Sequence, residues 1–123
     1  MKYILSVILL TISTQTQAHL NLESYYQNEF CTGMDTEVVM SDGTRADCVG
    51  IGIVIEVDFA DKWYQAVGQS LAYANLTGLH PVIVLIVEDD KDCKHVLRLY
   101  DVLPTIMPKI VVIETGPYKN KCK

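Results

Sequence analysis

Three acidic residues, Asp47, Glu56 and Asp58, fall in stretches that otherwise read as buried β-strand. Across residues 53–60 the side chains alternate, with Ile53, Ile55, Val57 and Phe59 on one face and Val54, Glu56 and Asp58 on the other. Two carboxylates therefore leave the same side of an apolar strand, where desolvation and mutual repulsion call for a compensating charge. A divalent cation that prefers oxygen ligands, such as magnesium, manganese or calcium, is the usual source of that charge. The plainer alternative is a half-exposed sheet face carrying two solvated acids.

The elements around these acids follow from turn and periodicity signals. Asp42-Gly43, between strand-like residues 37–41 and 44–51, predicts a two-residue hairpin. Its second arm carries Asp47 on one face with Arg45, Val49 and Ile51. A helix is expected from Asp61, a suitable N-cap, to a stop at Gly78. Trp63, Val67, Ser70, Leu71 and Ala74 form its expected core stripe. Lys62, Gln65, Gln69 and Tyr73 form a second, polar stripe suited to orienting carboxylates or phosphates, or serving only as a solvent face.

In order and spacing, Asp47, Glu56-Val57-Asp58 and Gln69-Ser70-Leu71-Ala72-Tyr73 resemble the PD-(D/E)XK restriction-endonuclease-like superfamily, with the Gln-x-x-x-Tyr motif of its RecB-like branch. The resemblance is specific in residues 44–73. It implies a restriction-endonuclease-like α/β core, a mixed β-sheet flanked by helices in the order αβββαβαβ, and metal-dependent hydrolysis of phosphodiester bonds in nucleic acid. It also implies that Asp47 and Glu56 hold Mg2+ or Mn2+, with Asp58 as third ligand or base and Lys62 as the cation at the phosphate. Gln69 and Tyr73 would orient the site, and Glu29, from the first helix, would be either an additional metal ligand or simply an exposed acid. Two departures stand out: Ala46 occupies the place of the usual Pro, and Asp58 that of the usual Lys. The competing expectation is a nuclease fold without catalysis, stapled by disulfides and binding a protein partner.

The remaining chain sets the context. Its 123 residues bound it to one domain. Lys2, an apolar run over residues 3–12 and a small-residue site ending at Ala18 predict a secretory signal peptide, residues 1–18, too short for a membrane span. Residues 19–123 would then be the mature domain, secreted or periplasmic and free of the membrane. With 10 Lys and Arg against 15 Asp and Glu, the chain carries a net charge of −5, which argues against gripping nucleic acid by bulk electrostatics. A local metal charge would still permit a nuclease. A basic tail, Lys119, Lys121 and Lys123 with Lys109, reads as a small patch or a solvated end.

Four cysteines, Cys31, Cys48, Cys93 and Cys122, suit two disulfides in an exported domain. Of three possible pairings, Cys31–Cys48 with Cys93–Cys122 is favoured because each pins a terminal segment, at roughly 3 kcal/mol per closed loop. No Cys-x-x-Cys or close Cys/His grouping suggests zinc. Residues 20–30 read as a helix, with Leu22, Tyr26 and Phe30 as its apolar side. Residues 81–87 read as a strand buried on both faces, and the acidic triplet Glu88-Asp89-Asp90 as its solvated end. A helix is expected over residues 92–103, with Val96, Leu97, Leu99, Tyr100 and Leu103 on its core side. A last strand is expected over residues 109–113. His19, His80 and His95 have no partner spacing and read as structural or exposed.

Overall fold

The computed structural model describes residues 18–106 and 110–123. Residues 1–17 of the expected signal peptide, and Lys109 of the basic patch, lie outside them. The chain is α/β, a five-stranded mixed sheet flanked by helices, in the expected element order. Helix α1 (Glu23–Phe30) leads into β1 (Asp35–Val39), β2 (Arg45–Gly50) and β3 (Ile53–Phe59). Helix α2 (Trp63–Thr77) crosses to β4 (His80–Ile86), and α3 (Cys93–Ile106) crosses to β5 (Val111–Thr115). The strands lie in sequence order, antiparallel from β1 to β3 and parallel from β3 to β5. Among the described residues no helix is long and apolar enough to cross a membrane.

Strands β3 and β4 form the core because both of their faces are covered. Ile55, Val57, Phe59, Val82, Val84 and Ile86 pack on one side with Tyr26 of α1 and the Cys31–Cys48 bridge. Ile83, Leu85 and Val87 pack on the other with Trp63 and Ala66 of α2 and Val96 and Leu99 of α3. The continuous apolar run in β4 is thus a strand denied water on both sides, as its β-branched composition suggests. The second bridge, Cys93–Cys122, ties the C-terminal segment to α3, so both favoured pairings are present and no cysteine is free. Two bridges suit an oxidising environment.

Several local expectations are corrected. The hairpin spans three residues, Ser41-Asp42-Gly43, with Met40 and Thr44 still paired; Gly43, at φ +85°, takes the left-handed position of the turn. Helix α1 begins at Glu23, and Leu22 is 78% exposed, because the N–H groups of the preceding residues bend towards another partner described below. Asp61 does not cap α2: it lies in a 3-10 turn, Ala60–Lys62, that leads directly into the helix. Gly78, at φ +70°, does terminate α2. The buried stripe of α2 is Trp63, Ala66, Ser70 and Tyr73, and Leu71 is exposed, because the helix is turned about 60° from the expected stripe as it faces β3 and β4. Helix α3 continues past Leu103 to Ile106, and the last strand is displaced to Val111–Thr115 by its register with β4.

Candidate functional site

Strand β2 does not run regularly beside β3. Residues two apart in a strand share a face, yet Cys48 packs on the α1 side while Ala46 packs on the α2 side with Val54 and Tyr73. The strand turns over at Asp47. Opposite it in the β1 register stands Glu37, a non-glycine residue at φ +52°, a conformation costing about 1–3 kcal/mol that concentrates at functional sites. Asp47 therefore points neither with Arg45 nor with Val49 as strict alternation predicts. Its Oδ2 accepts the backbone N–H of Val57 at 2.7 Å, taking the place of a ladder carbonyl and splitting β2 from β3.

Glu56 and Asp58 leave β3 on its α2 side, as expected, and both are buried. Asp58 Oδ1 accepts the N–H of Phe59 at 3.0 Å and its carboxyl hydrogen-bonds Glu23 at the start of α1. Glu56 Oε2 is buried without a hydrogen-bond partner. The electrostatics follow. Burial, then the charges of Asp47 and Asp58, push Glu56 up to about 9. Burial and the Glu23 charge push Asp58 up to about 7, with Lys62 pulling the other way. Burial lifts Asp47 to about 6, opposed by the Val57 N–H and assisted by Glu23 and Glu37. Glu56 is thus the centre of an acidic cluster, repelled by Asp47 on one side and Asp58 on the other.

The other expected site residues separate. Lys62 is exposed at the end of β3, close enough to act on Asp58. Gln69 is exposed on α2 and hydrogen-bonds the Tyr73 side chain. Tyr73 is corrected from the polar stripe to the core: it is 3% exposed, and its hydroxyl donates to the Arg45 carbonyl at 2.9 Å, which allows the phenol to be buried whole. It reaches the cluster through the charges it feels from Glu56 and Asp47. Glu29 is exposed and lines a different cavity with Tyr25, Thr115 and Lys119. Glu23 is the α1 acid at the cluster.

Glu23 and Glu37 were missed by sequence reading. Glu23 carried a signal: it lies four residues before Gln27, hence on the same helix face. Gln27 is buried and donates to Glu37 at 2.9 Å and to the Asp47 carbonyl at 3.1 Å. Glu37 carried none, because its left-handed backbone is imposed by the turnover of β2.

The donor set is compatible with a hard divalent ion in one respect: a buried carboxylate oxygen of Glu56 is unmatched, and neighbouring acids are held above their ordinary range. Among the described residues no group of three or more His, Cys, Asp or Glu side chains stands arranged for a metal. Magnesium characteristically uses one or two carboxylates with waters and substrate phosphates instead of an all-protein cage. Asp47 and Glu56 are the residues that would hold it.

The acidic triplet after β4 is also corrected. Glu88 is not a solvated end but a buried carboxylate, accepting from Tyr26 Oη at 2.8 Å, the N–H groups of Leu20 at 3.0 Å and Asn21 at 3.2 Å, and facing His19 Nδ1 at 2.9 Å. Asp89 caps the following 3-10 turn in a capping box with Asp92. A cavity of about 610 Å3 lies at the opposite end of the strands between Gly52, Leu71 and His80, away from every one of these acids.

Fold and cluster together define an α/β domain stapled by two disulfides, with a strained, acid-rich junction between its antiparallel and parallel halves. No family model, curated protein or solved structure matches the chain.

Proposed function

We propose that this is an exported nuclease-like protein with a restriction-endonuclease-like core that hydrolyses phosphodiester bonds with Mg2+ or Mn2+. The observation that carries the proposal is Glu56, buried beside the split between β2 and β3, repelled by both Asp47 and Asp58 and with one oxygen unmatched. A divalent ion bound there would neutralise this charge, polarise a phosphate and lower the pKa of a water. Asp47 and Glu56 hold the ion, and Gln27 and the Val57 N–H fix Asp47 in place. Asp58 is poised to accept a proton near neutral pH, since its carboxyl lies at about 7 and shares a hydrogen bond with Glu23. Lys62 offers its ammonium to the developing phosphate charge.

The experiment combines stability and cleavage. Mg2+ or Mn2+ should raise the melting temperature of the wild type, by linkage, and leave the Asp47→Asn/Glu56→Gln double variant unmoved. EDTA should abolish cleavage of plasmid and single-stranded substrates. Lys62→Ala should reduce cleavage at least about tenfold, which is about 1.4 kcal/mol in the barrier. Identical metal responses in wild type and double variant would place the ion elsewhere and end the proposal.

One observation favours a second reading, a nuclease fold turned to binding: the position two residues after Glu56 is Asp58, a buried acid, so no lysine faces the cluster from β3. Cleavage by Asp58→Lys but not by the wild type would decide for it.

A further inference from the structure

We propose that the cavity at the carboxyl end of β3 is a subsite for one nucleotide of a single-stranded nucleic acid, its base lying on the His19 ring and its phosphate at Lys62; the proposal rests on the phosphodiester reading above. The cavity, about 520 Å3, is walled by the segment before α1, by Phe59 and by Lys62. Its volume falls in the range of roughly 300–1,000 Å3 usual for small-molecule sites. Ligands of open α/β sheets bind outside the carboxyl ends of the strands, and Phe59 ends β3 there.

The His19 ring stacks on Phe59, with centroids 3.5 Å apart and an interplanar angle of 12°. One face is thereby covered, and 26% of the side chain remains exposed on the cavity wall. The ring does not swing freely. Its Nδ1 lies 2.9 Å from Glu88 Oε2, while Glu88 Oε1 accepts the N–H groups of Leu20 and Asn21. A buried carboxylate thus fixes the segment and its ring in advance, which lowers the ordering cost of placing a flat ligand on it. Leu20 and Leu22, also on the cavity wall, are largely exposed and offer apolar surface to the edge of a base.

The polar groups face the right way for a nucleotide. Lys62 lines the same cavity and supplies its ammonium. Glu23 also lines the cavity and hydrogen-bonds Asp58, which links the cavity to the acid cluster where the next phosphodiester would lie. A base paired in a duplex has both faces stacked and cannot reach a ring set into such a wall; an unpaired base can. The net charge of −5 makes a backbone-only grip weak, so stacking has to carry much of the affinity.

The test uses the purified, oxidised protein and a 5′-phosphorylated thymidine dinucleotide, read by NMR at the His19 ring signals. The dinucleotide should move the His19 ring protons upfield, and His19→Ala should weaken its binding at least about fivefold, the low end for losing one base stack. His19→Phe keeps a ring on Phe59 while dropping the Glu88 contact; it should retain binding within about twofold, separating stacking from a collapse of the segment. A dinucleotide that shifts no His19 signal at millimolar concentration, or that binds His19→Ala as well as wild type, overturns the proposal. The two readings fail separately. Binding at His19 without metal-dependent cleavage of any substrate would remove the hydrolysis reading and keep the subsite; cleavage of duplex and single strand alike, undiminished in His19→Ala, would remove the subsite and keep hydrolysis.

Discussion

Glu56 and Glu88 belong to neighbouring parallel strands or their immediate continuation, and they are denied water almost equally, at 6% and 8% exposure. They titrate in opposite directions. Glu56 is driven up to about 9 by burial and by the charges of Asp47 and Asp58, and one of its oxygens has no partner. Burial also pushes Glu88 up, but hydrogen bonds from Tyr26, His19 and the Asn21 and Leu20 backbone outweigh it and leave the group below its ordinary value. Loss of contact with water alone therefore does not decide what a buried acid does; Glu56 lies deeper, and its neighbours are acids where those of Glu88 are donors. Glu88, surrounded by donors, is a strut that holds a chain segment. Glu56, surrounded by other acids, stores an interaction that an added cation or proton would satisfy.

The largest expected effect comes from breaking the strut. Glu88→Gln exchanges an ionised acceptor for a neutral amide, leaving the Tyr26 hydroxyl and two backbone N–H groups poorly matched. It should cost about 3 kcal/mol at pH 7 by chemical denaturation. Because the folded pKa of Glu88 is lowered, its stabilisation is present above its unfolded value and fades as the pH falls, so the cost should shrink in acid.

Glu56→Gln should act with the opposite sign. The raised folded pKa means that the native state binds a proton the unfolded chain releases, so stability falls as the pH rises from the ordinary 4.5 towards about 9. In EDTA at pH 8 the substitution should stabilise the protein by about 2 kcal/mol, and by almost nothing at pH 4. A destabilised Glu56→Gln at pH 8 would show that the fold satisfies this carboxylate after all. Smaller still, Tyr26→Phe removes one donor to a charged acceptor and should cost about 1.5 kcal/mol. Tyr73→Phe removes a neutral hydrogen bond to the Arg45 carbonyl and should cost about 1 kcal/mol, with no pH dependence between 5 and 8. If the two tyrosine variants still show the same pH profile below pH 5, where Glu88 loses its charge, that charge is not what distinguishes them.

Much of the architecture was legible in the chain. The alternation in residues 53–60 placed Glu56 and Asp58 on one face, and the apolar run before Glu88 marked β4 as a strand interior to the sheet, because both patterns report burial directly. The rotation of α2 was not legible. Apolar residues lie on more than one side of that helix, and packing against the sheet buried Trp63, Ala66, Ser70 and Tyr73, a stripe that takes members from both expected ones. The outcome for Glu88 shows the same gap. An acidic triplet after a strand reads as solvated until a segment 67 residues away in sequence folds over it.

The sequence by itself determined the order of the elements, the disulfide-forming complement of cysteines and the presence of paired acids on β3, because periodicity, turn chemistry and residue type are local. The tertiary structure alone decided which acids meet. It brought Glu23 and Glu37 to Asp47 and Asp58, turned β2 over so that Asp47 could take the Val57 N–H, and gave Glu88 its donors while leaving Glu56 Oε2 without one. The physical reason is that a carboxyl's ionisation and its partners depend on groups distant in the chain, whose positions become fixed only when the sheet and its covering helices assemble.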